Sequence, residues 1–245
     1  MTRKIQRHYD EMAEIYDRRY DQGPGRSYHE HISEQVMAGL PQGGLLLDIG
    51  CGTGLFVERY RCRGGRAVGL DLSPRMVERA VDRCPAADWT VGTADALPFS
   101  DNTFDAVSSL LAFSYFQHPE RMLAEVLRVL RPGGRFSLCT LGRNFFTAGL
   151  PAIHTLGELT RVRQVGMGDF GERYYSEDQM ADLLGRAGFT DIRVSRCSFA
   201  HLNLARPVYE LARRVEPIVE RRIPYLAYNL VASGKKPHDG RLDGR

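Results

Sequence analysis

The chain has 245 residues, a formal net charge of +3 and 26% charged residues of mixed sign. This length suits one large α/β domain with additions, and the small net charge gives no general attraction to nucleic acid. Five widely spaced cysteines without a Cys-x-x-Cys pair argue against a disulfide framework and against a zinc site. Because there is neither a signal peptide nor an apolar run of about 18 residues, we expect a cytoplasmic protein with no membrane partner.

The N-terminal part, residues 1–40, is predicted to contain two helices. The first covers residues 3–20, and one of its sides is formed by Ile5, Tyr9, Met12, Ile15 and Tyr16. Glycine and proline predict a turn at residues 21–25. A second helix at 27–39 then leads into the first strand.

The stretch LLLDIGCGTG, from Leu45 to Gly54, organises the rest of the chain. Its apolar first half predicts a buried parallel strand, and a helical pattern follows at residues 55–61. The alternate glycines are required because a side chain would block both the tight turn and the approach of a ligand to backbone N–H groups. The stretch therefore predicts a strand, a ligand-binding turn and a helix start.

The second strand, at residues 67–71, ends in Asp71. In a doubly wound sheet an acid at this place lies at the C-terminal end of its strand, where it can accept hydrogen bonds from both hydroxyls of a ribose. The alternative is a solvated acid at a strand end. Ser73 is the predicted N-cap of the next helix, and Pro74 is its first residue.

The next elements alternate between strand and helix. They are a third strand with its exit loop at 88–99, a fourth strand at 104–111, a helix at 119–130 and a fifth strand at 135–141. Pro119 begins the helix, and Arg131-Pro-Gly-Gly134 stops it. Asp101 and Asn102 precede a strand, so they favour a turn over a metal site.

The C-terminal part is predicted to contain a helix, two strands and an insertion between them. Ser176 as N-cap and Gly188 as the terminal glycine bound the helix, and strand six follows at 189–199. The insertion at 200–222 predicts a helix with an apolar stripe of Val208, Leu211, Ala212, Val215, Ile218 and Val219. We expect this stripe to dock on the domain, with a dimer contact or a substrate lid as the alternative. Strand seven is predicted at 225–232.

Two motifs resemble those of a known family. Leu46–Gly54 resembles the first motif of the class I S-adenosylmethionine (SAM) dependent methyltransferases, and Arg128–Gly134 resembles their loop before the fifth strand. The resemblance implies an α/β fold with a doubly wound seven-stranded sheet, mostly parallel with an antiparallel last strand, of the Rossmann-like methyltransferase type with a helical lid and insertions. The regions would be a lid at 1–40, a SAM-binding core at 41–141, a substrate-region insert at 142–175, the rest of the core at 176–234 with the inserted helix at 200–222, and a tail at 235–245.

The resemblance also implies a cofactor, SAM, with S-adenosylhomocysteine as product and no metal. Asp71 would bind the ribose, Asp95 the adenine amino group, and Asp48 would orient the glycine turn or reach the amino group of SAM. Tyr9 or Tyr16 would cover the methionine end, unless the first helix is an ordinary amphipathic helix. The predicted cofactor-binding residues are Asp48, Gly50, Cys51, Gly52, Gly54, Asp71, Leu72, Met76, Asp95, Ala96, Ala112, Tyr9 and Tyr16.

The sequence after strand four departs from several subgroups of this family. Many relatives carry a histidine pair near Ser114 and Tyr115, and neither that pair nor the motifs of the protein, DNA and metal-dependent catechol enzymes is present. We therefore expect a small acceptor. The sequence is most similar in pattern to small-molecule methyltransferases such as those of quinone and natural-product pathways, and this resemblance, together with the aromatic content of residues 145–175, favours an apolar or aromatic acceptor. Tyr115 is predicted to face the acceptor, with His118 as a weaker catalytic candidate. Further candidates for a base are His154, Asp169, Tyr174, Tyr175 and His201.

The predicted activity is methyl transfer from SAM to carbon, nitrogen or oxygen of a small molecule by in-line displacement. An NAD-linked oxidoreductase is disfavoured because the turn is Gly-x-Gly-x-Gly rather than Gly-x-Gly-x-x-Gly, and because a second acid is present at Asp95. A SAM-binding regulatory or partner protein without activity is the other alternative. The partner would be a small molecule and not a nucleic acid, and the chain would be a monomer or a homodimer.

Overall fold

A computed structural model describes residues 2–20, 22–143, 172–200 and 206–238. The helices are α1 (Thr2–Tyr16), α2 (Gly23–Ala38), α3 (Leu55–Arg61), α4 (Pro74–Arg83), α5 (Pro119–Val129), α6 (Glu177–Ala187) and α7 (Arg206–Arg222). The strands are β1 (Leu45–Ile49), β2 (Arg66–Asp71), β3 (Asp88–Val91), β4 (Phe104–Leu110), β5 (Leu130–Leu141), β6 (Thr190–Cys197) and β7 (Asn229–Lys235). Short 3-10 helices occupy Asp17–Arg19, Phe113–Tyr115 and Pro224–Leu226.

The strands form one seven-stranded sheet in the order β3-β2-β1-β4-β5-β7-β6. Strands β1 to β5 pair in parallel, whereas β7 is antiparallel to both of its neighbours. The chain runs outward from β1 in one direction and then returns to β4 on its other side. A crevice therefore opens between β1 and β4 at the C-terminal ends of the strands, as in other doubly wound sheets. The predicted fold class is confirmed.

Both faces of the sheet are covered, which explains the unbroken apolar run of β1. Leu47 and Ile49 pack on one face with a cluster that includes Met122 of α5, whereas Leu46 packs on the other face with Ile32 of α2. Successive side chains of a strand point to opposite faces, so a strand between two helical layers needs apolar residues at every position. This packing holds β1 rigidly beneath the glycine turn.

The predicted helix signals behave as expected at two helices. The Ser73 hydroxyl accepts a hydrogen bond from Met76 N at 3.1 Å, and Ser176 forms a reciprocal capping box with Gln179. Gly188, with a φ of 102°, ends α6 in the left-handed conformation. These signals act within one or two turns of the chain, so distant residues do not alter them.

Several predicted boundaries differ from the structure. Strand seven, predicted at 225–232, is β7 at Asn229–Lys235, because Pro224–Leu226 form a 3-10 turn. The helix predicted at 3–20 ends at Tyr16 and continues only as a 3-10 turn. The turn predicted at 21–25 is wrong for most of its length, because α2 already begins at Gly23 with Pro24 in its first turn, where a missing N–H costs no hydrogen bond. Strand β5 begins at Leu130 and contains the Arg131–Gly134 loop as an irregularity in its pairing with β4.

The inserted helix docks differently from the prediction. Within its predicted stripe only Ala212 and Val219 are buried, while the exposed apolar residues of the helix are Val208, Leu211, Val215 and Ile218. The face that packs on the domain instead carries Tyr209 and the almost fully buried Glu216. The glutamate is buried at tolerable cost because it forms an ion pair with Arg213 and accepts a hydrogen bond from Ala200 N at 3.0 Å.

Several predictions fall on other parts of the chain. His154, Asp169 and His201, most of the substrate-region insert and most of the predicted tail lie outside the described residues. Among the described helices, none combines the length and the apolar character that crossing a bilayer requires.

Candidate active site

The glycine turn after β1 forms the floor of the site. Gly50, Gly52 and Gly54 have φ values of 74°, 53° and 83°, in the left-handed region that favours glycine. At Gly50 the neighbouring chain adds a second constraint, since a Cβ there would lie 2.4 Å from the Cβ of Ala112. The N–H groups of Gly50 and Cys51 donate to Leu70 O at 2.8 and 3.1 Å, which fastens the turn to β2.

Asp71 links the turn to the start of α4. Its Oδ2 accepts a hydrogen bond from Gly52 N at 2.8 Å, and its Oδ1 accepts one from Ser73 N at 2.9 Å. Burial raises the pKa of Asp71, and the backbone N–H donors oppose that rise by favouring the carboxylate. The two bonds hold the carboxylate at the end of β2, on the wall of the cavity.

Asp48 lies inside β1, beneath the turn, with 1% of its surface exposed. Ser108 Oγ donates a hydrogen bond to Asp48 Oδ1 at 2.7 Å. Burial raises the pKa of Asp48 to about 7, although the Ser108 hydrogen bond opposes the rise, and the negative charge of Asp71 adds to it. Near neutral pH the protonated and ionised forms of this carboxyl are therefore both populated, and a cation placed beside it would favour the carboxylate.

Three tyrosine rings, those of Tyr9, Tyr16 and Tyr115, line the cavity, and that of Tyr9 contacts the other two. Tyr9 of α1 meets Tyr16 and Tyr115 edge to face, with ring centroids 6.3 and 6.0 Å apart. The Tyr9 hydroxyl also forms a hydrogen bond with that of Tyr115. Burial raises the pKa of Tyr115 to about 12 and that of Tyr9 well above its ordinary value, so both phenols are protonated at neutral pH.

Two aspartates of the N-terminal segment bind it to the loops after β1 and β2. Asp10 accepts a hydrogen bond from Ser73 Oγ, two residues after Asp71 in the chain. Asp17 accepts one from Thr53 Oγ1 in the glycine turn and forms an ion pair with Arg83 at 2.8 Å. The tyrosine-bearing helix is therefore fixed by bonds to the loops beneath it and not by apolar contact alone.

A cavity lies between these parts, with an empty volume of about 1070 Å³ that includes its opening to solvent. The predicted site residues on its lining are Tyr9, Tyr16, Gly50, Gly52, Asp71, Leu72, Met76, Asp95, Ala112 and Tyr115. Asp48 and Cys51 line a smaller adjoining cavity with Tyr16 and His29. Gly54, Ala96 and His118 line neither of them.

Sequence reasoning missed other residues of the lining, among them Ile5, Gln6, Phe116 and Gln117. Ile5 could have been found, because it precedes Tyr9 by one helical turn on the same side of α1. Gln117 carries no such signal, since it lies in the irregular segment between β4 and α5. Its side-chain nitrogen Nε2 is buried and has no hydrogen-bond partner among the described residues. A buried donor without a partner at a cavity wall is able to bind a ligand atom.

Comparisons with known proteins agree with this geometry. Residues 47–138 match the family model described as a methyltransferase domain. The demethylmenaquinone methyltransferase of Renibacterium salmoninarum is 32% identical over 209 residues, which cover 80% of this chain and 85% of the relative. A ubiquinone/menaquinone biosynthesis C-methyltransferase of Desulfotalea psychrophila is 31% identical over 174 residues, which cover 65% and 71% of the two chains. A Thermotoga maritima structure, of a SAM-dependent methyltransferase described as a possible histamine N-methyltransferase, shares the fold, with a TM-score of 0.71, 24% identity, and coverage of 94% of this chain and 99% of that one.

Proposed function

Since the chain belongs to the class I SAM-dependent methyltransferases, we propose that its main cavity holds SAM beside Asp71 and a small apolar or aromatic acceptor beneath Tyr9 and Tyr115. The activity follows from the family, and the acceptor is the part that the cavity must specify. The observation that carries the proposal is the uncharged character of one group of lining residues, which we call the acceptor wall. The acceptor wall consists of Ile5, Tyr9, Tyr115, Phe116 and Gln117.

Other residues of the lining fit SAM in size and charge. The left-handed glycines allow the tight turn at the cavity wall, and Asp71 can accept hydrogen bonds from ribose hydroxyls in addition to those from backbone N–H groups. Asp95, an exposed residue of the cavity lining, would accept a hydrogen bond from the adenine amino group. In the adjoining cavity Asp48 would meet the amino group of the methionine part, and the cation would draw its proton away.

An apolar, oxygen-bearing acceptor fits the acceptor wall. The aromatic rings offer flat contact surfaces, while the Gln117 amide and the protonated tyrosines offer neutral donors for a carbonyl or hydroxyl oxygen. No charged side chain belongs to this group of described lining residues. The relatives named for demethylmenaquinone and for ubiquinone/menaquinone biosynthesis act in the chemistry of apolar quinones, which supports the same class of acceptor.

The contribution of this chain to the reaction is mainly positioning. SAM, when bound, supplies a methyl group already activated on a sulfonium. The lid and the loop after β4 hold the acceptor in line with that methyl group and exclude water, and such orientation can supply roughly 7 to 11 kcal/mol of the barrier. Because its pKa is about 12, Tyr115 is a poor base at neutral pH and serves as a hydrogen-bonding group toward the acceptor.

The test begins with calorimetric titration of SAM and of S-adenosylhomocysteine. We expect micromolar binding by the wild type and loss of binding in Asp71→Ala, with Asp105→Ala at the N-terminal end of β4 as the control. Methyl transfer from labelled SAM is then measured to a 2-alkyl-1,4-naphthalenediol and to histamine. Transfer to the diol alone supports the proposal. Transfer only to histamine refutes the acceptor class, and binding of NADH in place of SAM refutes the cofactor.

A further inference from the structure

The outer face of α7 carries a line of apolar side chains that nothing in the described structure covers. Val208, Leu211, Val215 and Ile218 are 51%, 63%, 37% and 62% exposed. Their spacing of three, four and three residues places them along one side of the helix. Tyr225, in the 3-10 turn that follows α7, is 57% exposed. We call these four aliphatic residues the outer stripe.

The orientation of α7 is fixed by polar bonds on its inner face, so the outer stripe cannot turn inward. Glu220 accepts a hydrogen bond from Ser198 N at 2.7 Å, and its Oε1 lies 2.8 Å from His31 Nε2 of α2. Glu216 accepts a hydrogen bond from Ala200 N, which precedes the helix, in the same way. Rotating the helix to bury the stripe would break these bonds and expose Tyr209. Exposure of the stripe is therefore a stable property of the fold.

The charges beside the outer stripe are predominantly positive. Arg214, Arg221 and Arg222 are exposed, and none forms an ion pair within the described part of the chain. Two of the three glutamates of α7 are turned inward, which leaves Glu210 as the exposed acid of the helix among described positions. An apolar line with basic residues along its edges is the pattern of helices that lie in the interface of an anionic bilayer.

We propose that the outer stripe docks on the surface of an anionic phospholipid bilayer, with the aliphatic side chains among the acyl chains and the three arginines at the headgroups. A second copy of the chain fits less well, because a two-fold contact through this face would bring arginines against arginines with few acids to neutralise them. The proposal departs from the sequence-based expectation of no membrane partner, and it is independent of the proposed acceptor.

The place of α7 in the fold gives such docking a consequence. The helix connects the end of β6 to the start of β7, where Cys197 and Leu141 both pair with Asn229. Leu141 ends β5, so α7 belongs to the edge of the sheet at which the parallel strands end and the cavity opens. Docking through the outer stripe would bring this edge to the bilayer, from which apolar molecules can be taken up.

The test is co-sedimentation of the full chain with large unilamellar vesicles, either pure phosphatidylcholine or phosphatidylcholine with about 30% phosphatidylglycerol. We expect binding to the anionic vesicles that weakens in high salt, as electrostatic attraction to lipid does. Leu211→Gln/Ile218→Gln and Arg214→Glu/Arg221→Glu should each reduce the partition coefficient at least tenfold. Val81→Gln/Val91→Gln, which removes two comparably exposed apolar side chains elsewhere, should bind like the wild type.

Light scattering on the same samples separates the remaining explanations. A monomeric wild type with the expected vesicle binding supports the proposal. Absence of vesicle binding, equal binding to both compositions, or an equal loss in the Val81→Gln/Val91→Gln control overturns it. A dimer that Leu211→Gln/Ile218→Gln converts to a monomer also overturns it, because the outer stripe would then bind a second copy. Unchanged circular dichroism of each variant is required before any loss is interpreted.

Discussion

Replacing Asp48 by asparagine should stabilise the protein and weaken SAM binding at the same time. The change preserves the size of the side chain and leaves Oδ1 to accept the hydrogen bond from Ser108. It removes a carboxyl group that is 1% exposed and that resists ionisation. It also removes the negative charge that we place opposite the amino group of SAM. The two effects therefore have opposite signs on stability and on affinity.

The magnitude follows from the pKa of Asp48. Burial raises it from 3.8 to about 7, which is about three units at 1.36 kcal/mol per unit. Between these two values the folded state keeps a proton that the unfolded state has released, so wild-type stability falls as pH rises through that window. Above pH 7 the variant should be more stable by an amount on the order of 4 kcal/mol, and below about pH 4 the difference should vanish.

The assay is urea denaturation at pH 5.5, 7 and 8.5, followed by circular dichroism. The stability gap between variant and wild type should widen by about 1.4 kcal/mol per pH unit up to pH 7 and then level off. SAM affinity at pH 8.5 should fall by roughly ten- to a hundredfold, the usual effect of losing a hydrogen bond to a charged group. Asp105→Asn is the control, in which the change in stability should have the opposite sign. Burial of Asp105 is outweighed by the hydrogen bonds from Leu45 N and Arg131, which lower its pKa.

Parallel stability curves for Asp48→Asn and the wild type at all three pH values would refute the reasoning about burial. Equal SAM affinity of the two proteins would remove Asp48 from the cofactor site, whatever the denaturation shows. A loss of stability in the variant at pH 8.5 would mean that the buried carboxylate has a stabilising partner in the folded chain.

Three further changes test other parts of the site. Burial and the charges of Arg59 and Arg83 lower the pKa of His29 to about 3. The free energy of unfolding should therefore fall as pH drops from 6.5 towards 3, and His29→Gln should reduce this pH dependence in acid denaturation. Gln117→Leu should raise the KM of the naphthalenediol about fivefold or more while calorimetry finds SAM affinity unchanged; an unchanged KM would remove the amide from the acceptor wall. Gly50→Ala should lower the free energy of unfolding by about 1 to 2 kcal/mol because of the left-handed backbone alone. It should also lower SAM affinity at least tenfold, because the new Cβ would collide with Ala112.

The features that could be predicted from the sequence are those that depend on local chemistry. The glycine turn, the acid at the end of β2 and the caps at Ser73 and Ser176 each follow from residues within one short stretch, and the structure reproduces them. The doubly wound seven-stranded sheet with an antiparallel last strand followed from the resemblance, which supplies long-range information that periodicity lacks. Roles assigned to individual site residues remain predictions even where those residues line the cavity.

The features that escaped prediction depend on which surfaces meet. The hydrophobic pattern shows that α7 has an apolar side, but only part of that side contacts the domain. The hydrogen bonds of Glu216 and Glu220 determine which face of the helix is buried. Gln117 belongs to an irregular segment, where spacing gives no direction for a side chain. The pKa of Asp48 is set by burial and by Asp71, a neighbour from another strand.

Adjacent residues of α1 join the two halves of the site. Tyr9 contacts Tyr115 in the proposed acceptor site, and the next residue, Asp10, bonds to Ser73, whose N–H donates to Asp71 of the proposed cofactor site. A rigid helix cannot move one of these neighbours without the other. A shift of α1 away from the loop of Ser73 would therefore also move Tyr9 away from Tyr115. The proposed acceptor site and the proposed cofactor site thus depend on the same contact of α1 with this loop.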